Sequence, residues 1–203
     1  YGRPPGEAVQ TKGLEVPMHD PRAYHSMGLV YATAPRGADH NKSDGYQIDL
    51  SGGHPDLGLN AADRWGDEKA AMVEKSQNFR ALTDSLGICH FALIPFDLLL
   101  GMVNSATGWN TDMDQLLRAG ERIFQLQRAL SCKLGITAQD DVLPELVMRS
   151  IPEGGTEGHV PDMEKMLPEY YTLRDWDSAT GKPSKKRLQD LGMLEVATAI
   201  NAK

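Results

Sequence analysis

The sequence predicts a mainly α-helical protein, an irregular multihelical domain with long loops. Two long segments, residues 67–86 and 113–127, carry apolar residues at the spacing of one helix face. Between the helical segments, proline and glycine recur in clusters that interrupt regular structure. With 203 residues, the chain is long enough to bury one core without disulfide bonds. We therefore expect residues 14–203 to form a helical domain.

The first elements are predicted from turn residues and helix-start signals. Residues 1–13 are rich in glycine and proline and lack periodicity, so we interpret them as a linker or extended segment. Asp20 and Pro21 form a helix-start signature, because aspartate can accept from free amides and proline suits the first turn. A helix is therefore expected over residues 23–31, and a short extended piece at 46–50.

The central helices are predicted from apolar spacing. A helix over about 67–86 meets Gly87, which suits a helix end. The apolar run that follows starts a second helix, which ends near Gly108. Asp112 caps a third helix, with acidic residues in its first turn. The charged residues Arg118, Glu121, Arg122 and Arg128 lie largely outside its core-facing stripe, which comprises Met113, Leu116, Leu117, Gly120, Ile123, Phe124 and Gln127.

The last third of the chain is predicted to contain shorter helices. One lies at residues 143–148 and another at 162–173. Residues 176–184 form a turn. Cys132, near the end of the third central helix, is predicted to be structural. Ser184 caps a last amphipathic helix that contains Leu188, Leu191 and Met193.

Composition and charge exclude several classes of protein. The net charge is −7 with acidic and basic residues interspersed, so no basic face for nucleic acid is present, and a cytoplasmic location is expected. The two cysteines, Cys89 and Cys132, make no secreted disulfide framework and favour a reducing compartment. The longest apolar run, residues 91–100, is interrupted by Pro95 and Asp97, so no membrane span is expected.

The most informative stretch for chemistry is residues 84–90. Gly87 permits a backbone conformation or a close approach that a side chain would block, so Asp84 and Cys89 could converge on one bound group. A thiolate there could ligate a soft metal, and the carboxylate could accept hydrogen bonds from a polar ligand. Alternatively, Cys89 is a small buried apolar residue and Asp84 caps a helix.

A second candidate lies in the loop after the first predicted helix. His40 could donate or accept a proton near neutral pH, with Asp39 or Asp44 setting its charge. Loops on a rigid scaffold commonly present such groups. The alternative is a surface histidine in a polar loop.

Several motifs occur in an order that resembles one enzyme family. They are Met18-His19-Asp20-Pro21-Arg22-Ala23, Tyr31-Ala32-Thr33, Arg36-Gly37 followed by His40, Asp84-Ser85-Leu86-Gly87-Ile88-Cys89, Gly120-Glu121-Arg122-Ile123, Asp141-Val142-Leu143-Pro144, the Tyr170-Tyr171 pair, Arg174-Asp175-Trp176-Asp177 and Gly181-Lys182-Pro183-Ser184. Together they resemble the C-terminal part of the aldehyde:ferredoxin oxidoreductase family over roughly residues 14–195.

The resemblance implies a tungsten–bis-pterin cofactor of the molybdopterin type and a 4Fe-4S cluster. It implies that Asp84, Gly87, Ile88 and Cys89 form the cofactor-binding segment, in which the acid meets one pterin and the cysteine ligates the cluster. Ile88 replaces the leucine that is usual at that position. The resemblance also places His40 next to the metal, as the catalytic residue that transfers a proton at the substrate oxygen.

The resemblance further implies that the chain is the C-terminal domain of a larger oxidoreductase. The first residue is Tyr1 rather than Met, and the family's other three cluster cysteines would lie before it. We therefore expect both cofactors to be absent or incomplete in this chain alone. The expected partners are the N-terminal domains and ferredoxin or another electron carrier.

The implied activity is the oxidation of aldehydes to carboxylic acids. Two alternatives stay open. The chain could be the active-site subunit of a tungsten-dependent benzoyl-CoA-type reductase, or a non-catalytic helical scaffold or interaction domain.

Overall fold

The fold consists mainly of helices, as predicted. A computed structural model describes residues 7–59, 63–66, 68–92 and 94–202. Within these ranges are eight α-helices and one two-stranded sheet. None of these helices has the length and apolarity that a bilayer crossing requires. The helices are α1 (His25–Thr33), α2 (Gly45–Ser51), α3 (Ala70–Ser85), α4 (Phe96–Thr107), α5 (Met113–Lys133), α6 (Met163–Arg174), α7 (Lys185–Asp190) and α8 (Leu194–Ala199), with 3-10 helices at His40–Lys42, Pro55–Leu57, Ala138–Asp140 and Glu145–Met148.

The sheet is a small hairpin near the start of the described chain. Strand β1 (Gln10–Thr11) pairs antiparallel with β2 (Leu14–Glu15). Lys12 lies in the turn with a positive φ of 51°. Its ammonium points inward, and Nζ lies 2.6 Å from the carboxylate of Asp141. The hairpin is therefore tied to the core, and residues 1–6 of the predicted linker lie outside the described residues.

Helix α1 lies in the main core. All nine of its residues are buried, because α2, α3 and α6 all pack against it. A helix that is buried all round has no polar face. The core around it also contains Ile48, Val73, Met166 and Tyr170.

The long helices α3 and α5 pack closely. A Cβ atom at Gly120 would lie within 3.0 Å of the backbone carbonyl of Asn78, so glycine is required for this approach. The predicted start of α5 is confirmed. The Asp112 carboxylate accepts from the Gln115 amide at 2.8 Å, and the Gln115 side chain accepts from the Asp112 amide at 3.0 Å.

Arg128 corrects the charge pattern predicted for α5. The sequence pattern places it outside the core-facing stripe, but its side chain is fully buried. Its Nη1 donates to Asp141 at 2.8 Å, and its guanidinium lies 4.3 Å from the centroid of the Trp176 ring. The hydroxyl of Tyr171 donates to the same carboxylate. These partners replace the water that the buried cation loses.

Two local predictions are wrong. Residues 46–50 are helical rather than extended, and their helix is held by a buried ion pair between Asp49 and Lys69 at 2.6 Å. Such tertiary contacts override the local turn signals around it. Asp20 does not cap α1. Instead it accepts from the amide of Arg22 at 2.9 Å, and the helix begins later, at His25.

The predicted last helix is divided in two. Ser184 caps α7 as predicted, since its hydroxyl accepts from the Arg187 amide at 3.0 Å. Gly192, with a φ of 70°, then separates α7 from α8. The apolar residues predicted for one helix still share a small core, which contains Leu188, Leu191 and Met193.

Candidate active site

The segment that the sequence singles out lies at the end of α3 and in the following loop. Asp84 occupies the last turn of α3, and Gly87 has a φ of 70°, which would strain other residues. The Ile88 amide donates to the Thr83 carbonyl at 3.1 Å, so the chain folds back on the helix end. Cys89 follows and is exposed. The alternative of a buried apolar cysteine is therefore wrong.

His40 begins the 3-10 helix that follows α1. The side chain of Asp39 caps this short helix. The His40 ring lies 4.8 Å from the ring of His19, which in turn stacks on Tyr46 at 4.4 Å. Partial burial lowers the pKa of His19, and nearby His40 lowers it further. His40 therefore lies beside an imidazole that is neutral at pH 7.

An ion pair joins the two candidate segments. Lys42 Nζ lies 2.8 Å from Asp84 Oδ2, and both side chains are partly exposed. Lys42 follows His40 by two residues, and Asp84 precedes Cys89 by five. The structure therefore brings the His40 turn and the 84–89 segment together at the surface.

A buried ion pair also joins these parts of the chain. Arg80, one turn before Asp84 on α3, donates to the Asp44 carboxylate, and both partners are more than nine-tenths buried. His90 Nε2 lies 3.7 Å from the same carboxylate, too far for a hydrogen bond. Burial lowers the pKa of His90, and the charge of Arg80 lowers it further, whereas Asp44 raises it. Smaller contributions come from His40, which lowers this pKa, and from Asp84, which raises it. Charges from both candidate segments therefore act on the His90 imidazole.

A cleft of about 510 Å³ opens beside this polar group. Asp44, Arg80, His90 and Cys89 all line it, whereas Asp84 and His40 do not. Apolar side chains form much of the remaining wall, namely Ile48, Phe79, Ile88, Ile94, Phe96 and Leu99. The cleft therefore combines a buried ion pair, an accessible thiol and an apolar lining.

Comparison with known proteins shows the family. The family described as "Aldehyde ferredoxin oxidoreductase, domains 2 & 3" matches residues 1–193. The chain belongs to the aldehyde ferredoxin oxidoreductase family. The tungsten-containing aldehyde ferredoxin oxidoreductase of Pyrococcus furiosus is 36% identical over 199 residues, which are 96% of this chain and 32% of that protein. The protein of the same name from Thermococcus kodakarensis is 35% identical over 199 residues, with the same coverage.

The chain spans 32% of the length of these curated relatives of the aldehyde ferredoxin oxidoreductase family. It also resembles a solved structure titled "Active site complex BamBC of Benzoyl Coenzyme A reductase in complex with 1,5 Dienoyl-CoA". The TM-score is 0.53 and the identity 23%, over 65% of this chain and 20% of that chain. This likeness shows a shared fold.

The two thiols of the chain differ in how well they could serve as metal ligands. In the described ranges, no three His, Cys, Asp or Glu side chains form a group that could hold a metal ion. Cys89 offers one accessible thiol. The Cys132 thiol instead lies 3.5 Å from the Gly181 carbonyl, and burial raises its pKa, which disfavours the ligating thiolate. Of the two thiols, that of Cys89 is therefore the one accessible to a metal, and a cluster bound there would take its other ligands from other polypeptide.

Sequence reasoning does not predict the buried ion pair of the site. The sequence predicts that Asp39 or Asp44 sets the charge of His40. In the structure Asp44 binds Arg80, and Asp39 lies 3.3 Å from Arg36. One signal was available, because Arg80 occupies the apolar face of α3, where a charge needs a buried partner.

Proposed function

We propose that the chain is the C-terminal part of a tungsten–bis-pterin, iron–sulfur oxidoreductase that oxidises aldehydes to carboxylic acids and passes the electrons to ferredoxin. The observation that carries the proposal is the Lys42–Asp84 ion pair, which sets the His40 turn beside the 84–89 segment in a chain of this family. Asp84 and Cys89 are both exposed, so a cofactor could reach both side chains. A cytoplasmic location is part of the proposal and is supported by the low cysteine content.

Each residue of the cofactor segment has a proposed role that suits its chemistry. Cys89 would be one thiolate ligand of the 4Fe-4S cluster. Asp84 would accept hydrogen bonds from ring nitrogens of one pterin. Gly87 and Ile88 form the turn after α3 and would thereby fix the separation between the Asp84 carboxylate and the Cys89 thiolate. When bound, the tungsten–pterin group supplies two-electron chemistry, and the cluster passes electrons on singly.

His40 would move a proton at the substrate oxygen. Oxidation of an aldehyde adds the oxygen of water to the carbonyl carbon and releases two protons and two electrons. The His40 imidazole would accept one of these protons from the added oxygen and return it to solvent. The ring of His19 lies beside that of His40, with their centroids 4.8 Å apart.

The test is to measure tungsten, iron and activity in the full-length protein, prepared without oxygen. We expect tungsten, about four iron atoms per chain and oxidation of acetaldehyde with ferredoxin as acceptor. Cys89→Ser should lose most of the iron and of the electron transfer to ferredoxin, because sulfur is the ligand that iron requires. Cys132→Ser is the matched control and should keep both. Equal iron contents in the two variants would contradict the role of Cys89.

Other outcomes would decide between the remaining functions. Reduction of benzoyl-CoA without oxidation of acetaldehyde would favour the reductase. A full-length protein that contains neither tungsten nor iron would favour the third alternative, a non-catalytic scaffold or interaction domain.

A further inference from the structure

The end of α1, where the chain turns toward His40, is held by a buried ammonium. Ala32 lies in the last turn of α1, and Ala34 follows the helix as its C-terminal cap. The Lys12 ammonium donates to the carbonyl oxygen of Ala32 and, at 3.3 Å, to that of Ala34. Carbonyl groups at a helix C-terminus lack partners within the helix and attract a cation. Lys12 therefore binds the backbone at the point where the His40 turn begins.

The position of this ammonium is itself fixed. Lys12 Nζ lies 2.6 Å from the carboxylate of Asp141, and the two side chains are 2% and 0% exposed. Lys12 belongs to the turn of the hairpin, and the hydroxyl of the preceding residue, Thr11, donates to the Val142 carbonyl at 3.1 Å. Two neighbouring residues of the hairpin therefore bind two neighbouring residues of the 141–142 segment. This double attachment restricts the ammonium, because the hairpin that carries it is fixed as well.

The hairpin also lies directly against the turn that leads to His40. Gly37 has a φ of 95°, and a Cβ atom there would lie within 3.0 Å of the Thr11 carbonyl oxygen, so glycine is required on both counts. The Gly37 amide donates to the Ala34 carbonyl at 3.3 Å, and the same oxygen accepts from Lys12. The hairpin therefore contacts the turn through the Thr11 backbone and through the Lys12 side chain.

Hydrogen bonds continue from Gly37 to the backbone on either side of His40. The Gly37 carbonyl accepts from the Asp39 amide at 2.6 Å. The Asp39 carboxylate accepts from the Asn41 amide at 3.0 Å, so these two bonds span His40. A displacement of Gly37 would therefore also displace the backbone of His40. Misplacing a reacting group by about 1 Å can lower a rate about a hundredfold.

We propose that Lys12 is a positioning residue for His40, because it joins the end of α1 to Asp141 and thereby holds the turn that carries His40. The inference rests on the proposed function, in which His40 moves a proton at the substrate oxygen. Lys12 acts through the backbone of residues 34–40, so its loss lowers the rate of the chemical step rather than the affinity for substrate. Its bonds join Ala32, Ala34 and Asp141 rather than the 84–89 segment, so the cofactor content should not change.

Hydrogen exchange tests the hold on the turn without relying on turnover. Lys12→Met keeps much of the side-chain length and removes the ammonium. In the full-length protein, the amides of residues 36–41 should exchange at least about tenfold faster in this variant, as measured by mass spectrometry of peptides that span them. Lys69→Met is the matched control, because Lys69 is also a buried lysine, 3% exposed, with Nζ 2.6 Å from Asp49. It should change exchange at 36–41 far less, since Lys69 does not bind the end of α1.

Turnover provides the second measurement. In Lys12→Met, kcat for acetaldehyde should fall at least about tenfold while KM changes by less than about twofold. Tungsten and iron contents should equal those of the wild type, and Lys69→Met should keep kcat. Thr11→Val removes only the hydroxyl that binds the Val142 carbonyl and should change exchange and kcat about threefold in the same directions. Thermal unfolding verifies folding, and Thr11→Val decides by the same criteria if Lys12→Met does not fold.

The possible results separate this inference from the proposed function. Exchange at 36–41 that is unchanged in Lys12→Met, or that rises equally in Lys69→Met, would overturn the inference, as would an unchanged kcat. A fall in kcat that follows a loss of tungsten or iron would also overturn it, because Lys12 would then act on cofactor content. Faster exchange in Lys12→Met, together with a wild type that oxidises no aldehyde, would support the hold on the turn and overturn the proposed function.

Discussion

At the scale of single residues, two ion pairs connect α3 with the segment between α1 and α2. Lys42 and Asp84 pair where both are partly exposed, so this contact contributes at most about 1 kcal/mol to stability. Arg80 and Asp44 pair in the interior, where removing one partner leaves an uncompensated charge. The exposed pair therefore positions the site, whereas the buried pair is part of the scaffold that carries it.

We expect His19 to make stability depend on pH between 7 and 5. Its folded-state pKa is lowered by partial burial and by His40, whereas the unfolded state has the ordinary value of about 6.5. The unfolded state therefore binds more protons as the pH falls. The contribution of His19 is present above pH 6.5 and lost as the pH falls through the lowered folded-state pKa.

Chemical unfolding at several pH values would measure this effect. The free energy of unfolding should decrease more between pH 7 and pH 5 for the wild type than for His19→Phe, which keeps the stack on Tyr46 but cannot titrate. Parallel pH curves for the two proteins would contradict the assignment.

At the level of elements, the fold depends on the close contact of α3 with α5. Helix α3 carries Arg80 and Asp84, so its position decides where these side chains meet the His40 turn. The absence of a side chain at Gly120 lets the two helix backbones approach. The close approach of α3 and α5 at Gly120 therefore helps to set the geometry of the site.

Gly120→Ala should destabilise the protein by about 1–3 kcal/mol, because the new methyl group would overlap the Asn78 carbonyl and push the helices apart. Gly101→Ala on α4 is the matched control. Nothing lies within 4 Å of a Cβ atom there, so alanine should stabilise that helix by up to about 1 kcal/mol. Urea unfolding of both variants measures the difference, and equal destabilisation would contradict the close approach.

At the level of the whole molecule, one carboxylate connects distant parts of the chain. Asp141 binds Lys12 of the hairpin, Arg128 of α5 and Tyr171 of α6, and its side chain is completely buried. Burial lowers the pKa of Lys12, while the charge of Asp141 opposes that shift. This network therefore fastens the start of the described chain to its helical core.

Asp141→Ala should destabilise the protein by about 3–5 kcal/mol, because it leaves two buried cations without their shared acceptor. Asp190→Ala removes an exposed carboxylate at the end of α7 and should change stability by less than about 0.5 kcal/mol. Urea unfolding compares the two variants. A loss of only 1 kcal/mol in Asp141→Ala would show that the network contributes little.

The helices with a clear apolar stripe could be predicted from the sequence, whereas those held by distant contacts could not. Leu116 and Phe124 of the predicted α5 stripe are buried, as expected. Helix α2 has only seven residues and depends on the buried pair between Asp49 and Lys69, which no local pattern reveals. The burial of Arg128 is not predictable from the sequence for the same reason, since its partners come from other elements.

The candidate site was predictable in part. Motifs identified His40, Asp84 and Cys89, and the structure brings their two segments together, while their chemical roles stay predictions. The Arg80–Asp44 pair spans 36 residues of sequence, and spacing alone cannot match partners so far apart. A residue whose role depends on a distant partner is visible only after folding.

The complete burial of α1 has a consequence for local unfolding of the protein. A nine-residue helix without a solvent-facing side gains little by forming alone, so its backbone amides are ordered only once α2, α3 and α6 enclose it. Exchange of those amides with deuterated solvent should then require the enclosing helices to separate. The slowest-exchanging amides of the described chain would mark α1, and their rates would report the stability of the entire core.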